Sequence, residues 1–323
     1  MPDNIVLETR HISKSYRISG ENSLFAKTFP AVSDVSVTVR QGETFGIVGE
    51  SGCGKSTMAR LMMCLEKPDS GEIYLQGKRI DNLSEGERRA LRPRFQMVFQ
   101  DSGSSLNPRK RVEDILREPM LYHRIGDQNQ VDARVDELLD MVGLPVAMKR
   151  RYPHEFSGGQ RQRICIARAL SLSPDVIVLD EPVSALDVSV QAQILNLLRD
   201  LQQSLHLTYV FIGHGLGAVH YISHRIAVMY MGRVVEAGPS DTLFDHPAHP
   251  YTKALLDAAP VADDTLRGRE RTVMAEEIGD HPPETGCPLL PRCPYAEEAC
   301  RNRGLTLFET EGRLTACDRM LEG

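Results

Sequence analysis

"GESGCGKST", residues 49–57, decides how the rest of the chain is read. Gly49, Gly54, Lys55 and Ser56 fit the pattern G-x-x-x-x-G-K-[ST], in which backbone N–H groups curl around phosphate oxygens. Glycines serve there because a side chain would block the approach. The apolar run Thr44 to Val48 precedes the loop, and from Lys55 the composition turns helical. Strand, loop and helix in that order aim the positive end of a helix dipole at an anion. Lys55 then reaches the β- and γ-phosphates, the Ser56 hydroxyl ligates Mg²⁺, and Thr57 adds a phosphate contact. A plain glycine-rich turn would account for the glycines but not for the lysine and hydroxyls that follow.

Further parts of a nucleotide site come in order. "PDVIVLDEP", residues 174–182, reads as a buried strand ending in two carboxylates. Asp180 can hold Mg²⁺ at the carboxyl end of a parallel strand, where ligands of such sheets bind. Glu181 can polarise a water for attack on the γ-phosphate. "TYVFIGH", 208–214, is a third buried strand, and it ends in His214 at the same edge. A carboxylate or histidine at a strand end is by itself an ordinary structural residue; the company of the loop makes these functional candidates. "HRIAVMYMGRVVEAG", 224–238, alternates as a hairpin near a sheet edge. Helices are expected near 129–142, 158–171 and 188–205. Strands alternating with helices give a mostly parallel sheet covered on both faces. Residues 5 to 40 read as short antiparallel strands, and the polar stretch 263–286 as a linker.

Bulk properties agree with a soluble globular class. Of 323 residues, 41% are hydrophobic and 25% charged, and the net charge of −6 argues against a nucleic-acid footprint. No stretch approaches the roughly 18 apolar residues that span a bilayer. "MPDNIVLETR" at the N-terminus lacks the apolar core of a secretory signal. Any membrane role then comes through a partner.

"FSGGQRQR", 156–163, adds a second anion-seeking surface, with Ser157, Gly158 and Gly159 at a helix start. One chain needs only one phosphate loop, so this surface suits a nucleotide held by another subunit. As a bare sequence it is also an ordinary helix cap.

With "GESGCGKST", "VFQDS", "FSGGQRQR", "VIVLDEPVSALD" and "FIGH" in that order, the chain resembles the ATP-binding subunits of ABC transporters over about residues 5 to 260. The resemblance implies an α/β P-loop NTPase with a parallel core sheet, an antiparallel β subdomain and a helical signature subdomain at about 101–172. It implies ATP and Mg²⁺ bound through Gly49, Ser51, Gly52, Cys53, Gly54, Lys55, Ser56 and Thr57, with Tyr16 stacked on adenine. Gln100 resembles the residue that senses Mg²⁺ and water and couples the site to a membrane partner. Ser157, Gly158, Gly159 and Gln160 resemble the signature that caps the opposite subunit's γ-phosphate, and Asp187 the residue that crosses the dimer interface. Glu181 takes the place of the catalytic base and His214 that of the switch histidine. One position departs from the pattern: Gly215 stands where the family usually has aspartate after that histidine.

"SSLNPRKRV" at 104–112, "HPAHPYTKALLDAAP" at 246–260 and the tail "GCPLLPRCPYAEEAC" at 286–300 resemble the dipeptide, oligopeptide and nickel importer branch, closest to the dipeptide importer's second ATPase subunit. This implies an ATPase powering peptide import, peripheral on the cytoplasmic face of the bacterial inner membrane. Its partners would be a second ABC ATPase in a heterodimer, two integral membrane permeases and, indirectly, a peptide-binding protein outside. Nickel or another small solute is the alternative cargo. A non-transport ABC protein acting on nucleic acid or in translation is the alternative class, disfavoured by the single cassette and the short Gln100–Ser157 interval. Residues 1–260 form the expected ATPase domain and 261–323 a linker with a small cysteine-rich appendage. There Cys287, Cys293, Cys300 and Cys317 offer four thiolates, the donor count of a [4Fe–4S] cluster or a tetrahedral zinc; the branch implies the cluster.

Overall fold

The computed structural model describes residues 4–18, 27–258, 274, 286–302 and 306–317. The linker expected at 263–286 falls almost wholly outside them.

The runs expected to be buried strands are β3 (Thr44–Val48), β7 (Val176–Asp180) and β8 (Thr208–Gly213), and every residue in them is buried. With β6 (Phe95–Val98) and β9 (Arg225–Tyr230) they form the parallel part of one sheet, in the order β9-β3-β8-β7-β6. Parallel strands buried on both faces read as near-continuous apolar runs, and β3, β7 and β8 do so apart from Thr44, Asp180 and Thr208 at their ends. Along β7, Ile177 and Leu179 enter one hydrophobic cluster while Val176 and Val178 enter another on the opposite face.

β10 (Arg233–Pro239) turns back on β9 as the expected hairpin. It is not the sheet's edge. β12 (Arg313–Thr315) pairs with it and β11 (Phe308–Thr310) with β12, so the end of the chain extends the main sheet. The cysteine-rich appendage is therefore not borne out as a body of its own: Leu289 of its loop is 1% exposed in the main core.

The second sheet is antiparallel, in the order β2-β1-β4-β5, from β1 (Ile5–Ile18), β2 (Lys27–Arg40), β4 (Ser70–Leu75) and β5 (Lys78–Arg79). β1 and β2 are long where short strands were expected. Register shifts between Thr9 and Ser15 bend them, so the alternation breaks without the pairing ending.

α1 (Lys55–Met62) follows the 49–57 loop, and α2 (Glu85–Leu91) follows β5. Then α3 (Ser102–Ser105), α4 (Val112–Tyr122), α5 (Gln128–Met141) and α6 (Gly158–Leu170) pack together between β6 and β7, where the helical subdomain was expected. α7 (Val188–Leu205) lies against α6, and α8 (Leu216–Ile222), α9 (Ser240–Asp245) and α10 (Pro250–Ala258) complete the chain order. Among the described residues no helix is long and apolar enough to cross a membrane.

Candidate functional site

The loop between β3 and α1 closes on a cavity of about 360 Å³. Ser51, Gly52, Gly54, Lys55, Ser56 and Thr57 line it, together with Tyr16, Gln100 and Glu181. Two glycines are fixed by contact. A Cβ on Gly54, which has φ +104°, would come 2.0 Å from the Ala31 carbonyl oxygen, and one on Gly49 would come 2.2 Å from that of Met229. Gly52, with φ +81°, faces open space, as a backbone that must admit a ligand does. Cys53 does not line the cavity: it is buried, and burial pushes its thiol's pKa up.

Lys55 is 4% exposed, and its ammonium donates to the Gly49 and Glu50 carbonyls at 2.8 Å each. Those bonds hold the loop closed around its own lysine. Ser56 Oγ donates to Asp180 Oδ1 at 3.1 Å, joining the start of α1 to the end of β7. Asp180 is 5% exposed, and burial raises its pKa against the lowering hydrogen bond from Ser56. The Asp180 carboxylate beside the Ser56 hydroxyl is a hard-oxygen donor pair of the kind that fits Mg²⁺.

Glu181 leaves β7 with φ +46°, a left-handed backbone rare outside glycine. Its N–H donates to the Ile212 carbonyl at 2.9 Å, and the Ser184 hydroxyl donates to its carbonyl at 3.1 Å. The turn sends the carboxylate between two polar neighbours. Gln100 Nε2 donates to Oε2 at 2.9 Å, and His214 Nδ1 stands 3.5 Å from the same oxygen. Gln100 also lines a second cavity of about 550 Å³, bounded by Leu65 and Phe99, which are 47% and 42% exposed, and by Ser104 and Ser105.

Tyr16 is half-buried, and its hydroxyl donates to the Glu66 carboxylate; burial and that carboxylate raise its pKa. Phe29 and Ala31 of β2 also line the cavity and were not singled out from the sequence, because nothing in an irregular alternation marks which β2 residues turn inward.

Ser157 to Gln160 do not line the Lys55 cavity. Ser157 caps α6: its Oγ accepts the Gln160 N–H at 3.3 Å, and its N–H donates to Gln160 Oε1 at 3.0 Å. Gly159 has a packing reason as well, since a Cβ there would meet Val190 Cγ1 of α7 at 2.4 Å. Asp187 caps α7, accepting the Val190 N–H at 3.0 Å, and beside it Val188 is 83% exposed. In the tail, the Cys287 N–H donates to the Cys300 carbonyl at 3.0 Å. Among the described residues no three histidine, cysteine or acidic side chains gather as metal ligands, so the four thiols as placed do not form a cluster site.

Two family models match the chain: ABC transporter over residues 32–184, and oligopeptide/dipeptide transporter, C-terminal region, over 235–300. The oligopeptide transport ATP-binding protein AppF of Bacillus subtilis is 48% identical, with 92% of each chain covered. The di/tripeptide transport ATP-binding protein DppF of Pseudomonas aeruginosa is 44% identical, with 97% of each covered. Among solved structures, a dimeric ATP-binding cassette in a post-hydrolysis state with ADP and Pi matches at 29% identity and TM-score 0.65, covering 72% of this chain and 98% of that one.

Proposed function

The chain belongs to the ATP-binding subunits of oligopeptide/dipeptide ABC transporters, and from that premise we propose how its residues power peptide import. It is an ATPase coupled to transport. The observation that carries the mechanism is the convergence of Lys55, Ser56, Gln100 and Glu181 on one cavity, with Asp180 bonded to Ser56.

The backbone N–H groups of 51–57 and the start of α1 take the phosphates. Lys55 exchanges its two carbonyl partners for phosphate oxygens, and Tyr16 stacks on the base. Ser56, Asp180 and Gln100 would hold Mg²⁺, which neutralises charge on the phosphates. Glu181, oriented by Gln100 and His214, accepts the proton of the attacking water. The reaction is phosphoryl transfer to water, driven by positioning and electrostatics.

Ser157 to Gln160 of one subunit cap the γ-phosphate held by a partner ATPase, and Asp187 lies along that interface. Closure depends on a phosphate that touches both subunits, so hydrolysis reopens the pair. A helix of a membrane permease fits the cavity beside Phe99 and Ser104, where Gln100 reports the nucleotide's state. On this reading the chain sits peripherally on the cytoplasmic face of the inner membrane, in a heterodimer on two permeases fed by a peptide-binding protein. Residues 1–260 act as the ATPase domain, with 261–323 as linker and extension.

The remaining element is a [4Fe–4S] cluster on Cys287, Cys293, Cys300 and Cys317. It is supported by the count and softness of the donors and not by their present arrangement. Iron and acid-labile sulfide on anaerobically purified protein test it, with about four irons per chain expected.

The main test is Lys55→Ala, which should abolish binding of labelled ATP. It is paired with co-purification of two integral membrane proteins and uptake of labelled di- and tripeptides. Undiminished ATP binding would sink the loop assignment, and absence of peptide uptake the cargo.

A further inference from the structure

Glu50 is the one acidic residue of the loop 49–57, which must receive a polyanion. It is gripped from the C-terminal region at two points. Arg292 donates from Nη1 to Oε2 at 3.0 Å and from Nη2 to Oε1 at 3.1 Å, across 242 residues of sequence. The Glu50 N–H donates to the Tyr251 hydroxyl of α10 at 2.9 Å. Tyr251 packs on Tyr230 with ring centroids 4.6 Å apart, and the Arg292 guanidinium lies 6.0 Å from the same Tyr230 centroid. Glu50, Arg292, Tyr230 and Tyr251 thus close a circuit around the first turn of the loop.

The circuit has a firm base. Tyr251 is fully buried, and Leu289, three residues before Arg292, is 1% exposed in the main core. The Arg292 N–H donates to the Leu289 carbonyl at 2.9 Å, so a tight turn carries the guanidinium. The Arg292 side chain is 10% exposed and that of Glu50 36%, which leaves the pair only partly screened by water. Two parallel N–H···O bonds fix direction as well as charge, which a lysine could not do. The Glu50 carbonyl is also one of the two that hold Lys55, so a shift of Glu50 moves the lysine's anchor.

We propose that Arg292 is a positioning residue of the nucleotide site: it neutralises the loop's single carboxylate and pins Glu50 against Tyr251, so the C-terminal region sets affinity for the nucleoside triphosphate. Without Arg292, the loop that receives the phosphates carries an unneutralised carboxylate and its first turn loses one of its two anchors. This rests on the assignment of 49–57 as the phosphate loop.

The experiment is a double-mutant cycle on the assembled transporter, reading KM for ATP and kcat separately, with labelled-ATP binding to the purified chain alongside. Arg292→Ala should raise KM for ATP about tenfold, with kcat within about twofold, because Arg292 acts on the nucleotide only through Glu50. In a Glu50→Gln background the same step should change KM by less than about twofold, because no charge is left to neutralise. Arg292→Lys keeps the charge and loses the fork, so it should fall between, at about threefold. It also replaces the alanine variant in the cycle if that variant does not fold. An equal KM rise in both backgrounds, or a fall in kcat alone, overturns the proposal in favour of a role in folding the tail. Lys55→Ala separates the premises. If it binds ATP normally, the loop assignment fails; if it loses ATP while the Arg292 variants match wild type, only the role of Arg292 fails.

Discussion

The Gln100 amide donates to the Glu181 carboxylate at 2.9 Å, tying the second residue past β6 to the first residue past the neighbouring parallel strand β7. One side of that bond faces the cavity of the phosphate loop, and Gln100 also walls the larger cavity beside Phe99. A change at the γ-phosphate that moves Glu181 therefore has a direct polar route to the second surface.

Glu181→Gln tests the chemistry of that pair. The amide keeps an oxygen to accept from Gln100 and removes the base. ATP binding should stay at the wild-type level, while steady-state turnover falls about a hundredfold or more, the usual worth of a positioned general base. Turnover near the wild-type rate would take the base role from Glu181.

Gly215, the departure from the family pattern, caps α8 with φ −88° and ψ 111° and no side-chain cap bond. A Cβ there meets nothing within 4 Å. An aspartate fits that backbone and can accept from the open N–H groups of the helix. Gly215→Asp should raise stability by about 0.5 kcal/mol, read as a small increase in unfolding temperature. A decrease would mean that the added charge conflicts with the neighbouring Glu181 carboxylate.

The parallel core was legible because β3, β7 and β8 are near-continuous apolar runs, each followed closely in sequence by candidate site residues. α4 escaped notice because Pro119 interrupts "VEDILREPMLY"; proline inside a helix removes one hydrogen bond, and the packed apolar face of Val112, Ile115, Leu116 and Met120 outweighs it. β11 and β12 have three residues each, too few for alternation to register, and only the pairing of β12 with β10 and of β11 with β12 makes them strands. The left-handed turn at Glu181 is imposed by bonds to Ile212 and Ser184, and local propensity carries no trace of it. The clasp between Arg292 and Glu50 joins distant segments and has no sequence period at all.

Acid sensitivity should centre on His249. It is 1% exposed, its Nδ1 accepts the Tyr251 N–H at 3.1 Å, and burial lowers its pKa from 6.5 to about 4. Below pH 6.5 the unfolded chain takes up a proton that the folded chain refuses. Stability is full above 6.5 and declines as pH drops toward 4, by up to about 3 kcal/mol. His249→Gln should flatten that decline in denaturant titrations between pH 7 and 5, whatever its effect on absolute stability. An unchanged slope would assign the acid limb to other groups.

Arg313 offers the sharpest test of how the chain's end is fastened. Its side chain is 6% exposed and lies 3.7 Å from the fully buried Glu236 carboxylate of β10. It also donates to the His246 carbonyl, while Glu236 accepts the Ala248 and His249 N–H groups at 2.9 and 3.0 Å. Burial raises the Glu236 pKa, and the surrounding donors, with Arg313, oppose the rise. Arg313→Ala removes the guanidinium counter-charge while the two backbone N–H groups still bond the carboxylate, a loss of up to about 3 kcal/mol, the low end for one partner of a buried pair. Glu236→Gln in the same chain should recover part of it, since an amide can stay buried without a counter-charge. Urea titration of the two single variants and the double variant reads this directly, and a double variant no more stable than Arg313→Ala would show that Arg313 acts through the His246 carbonyl and the packing of β12 instead.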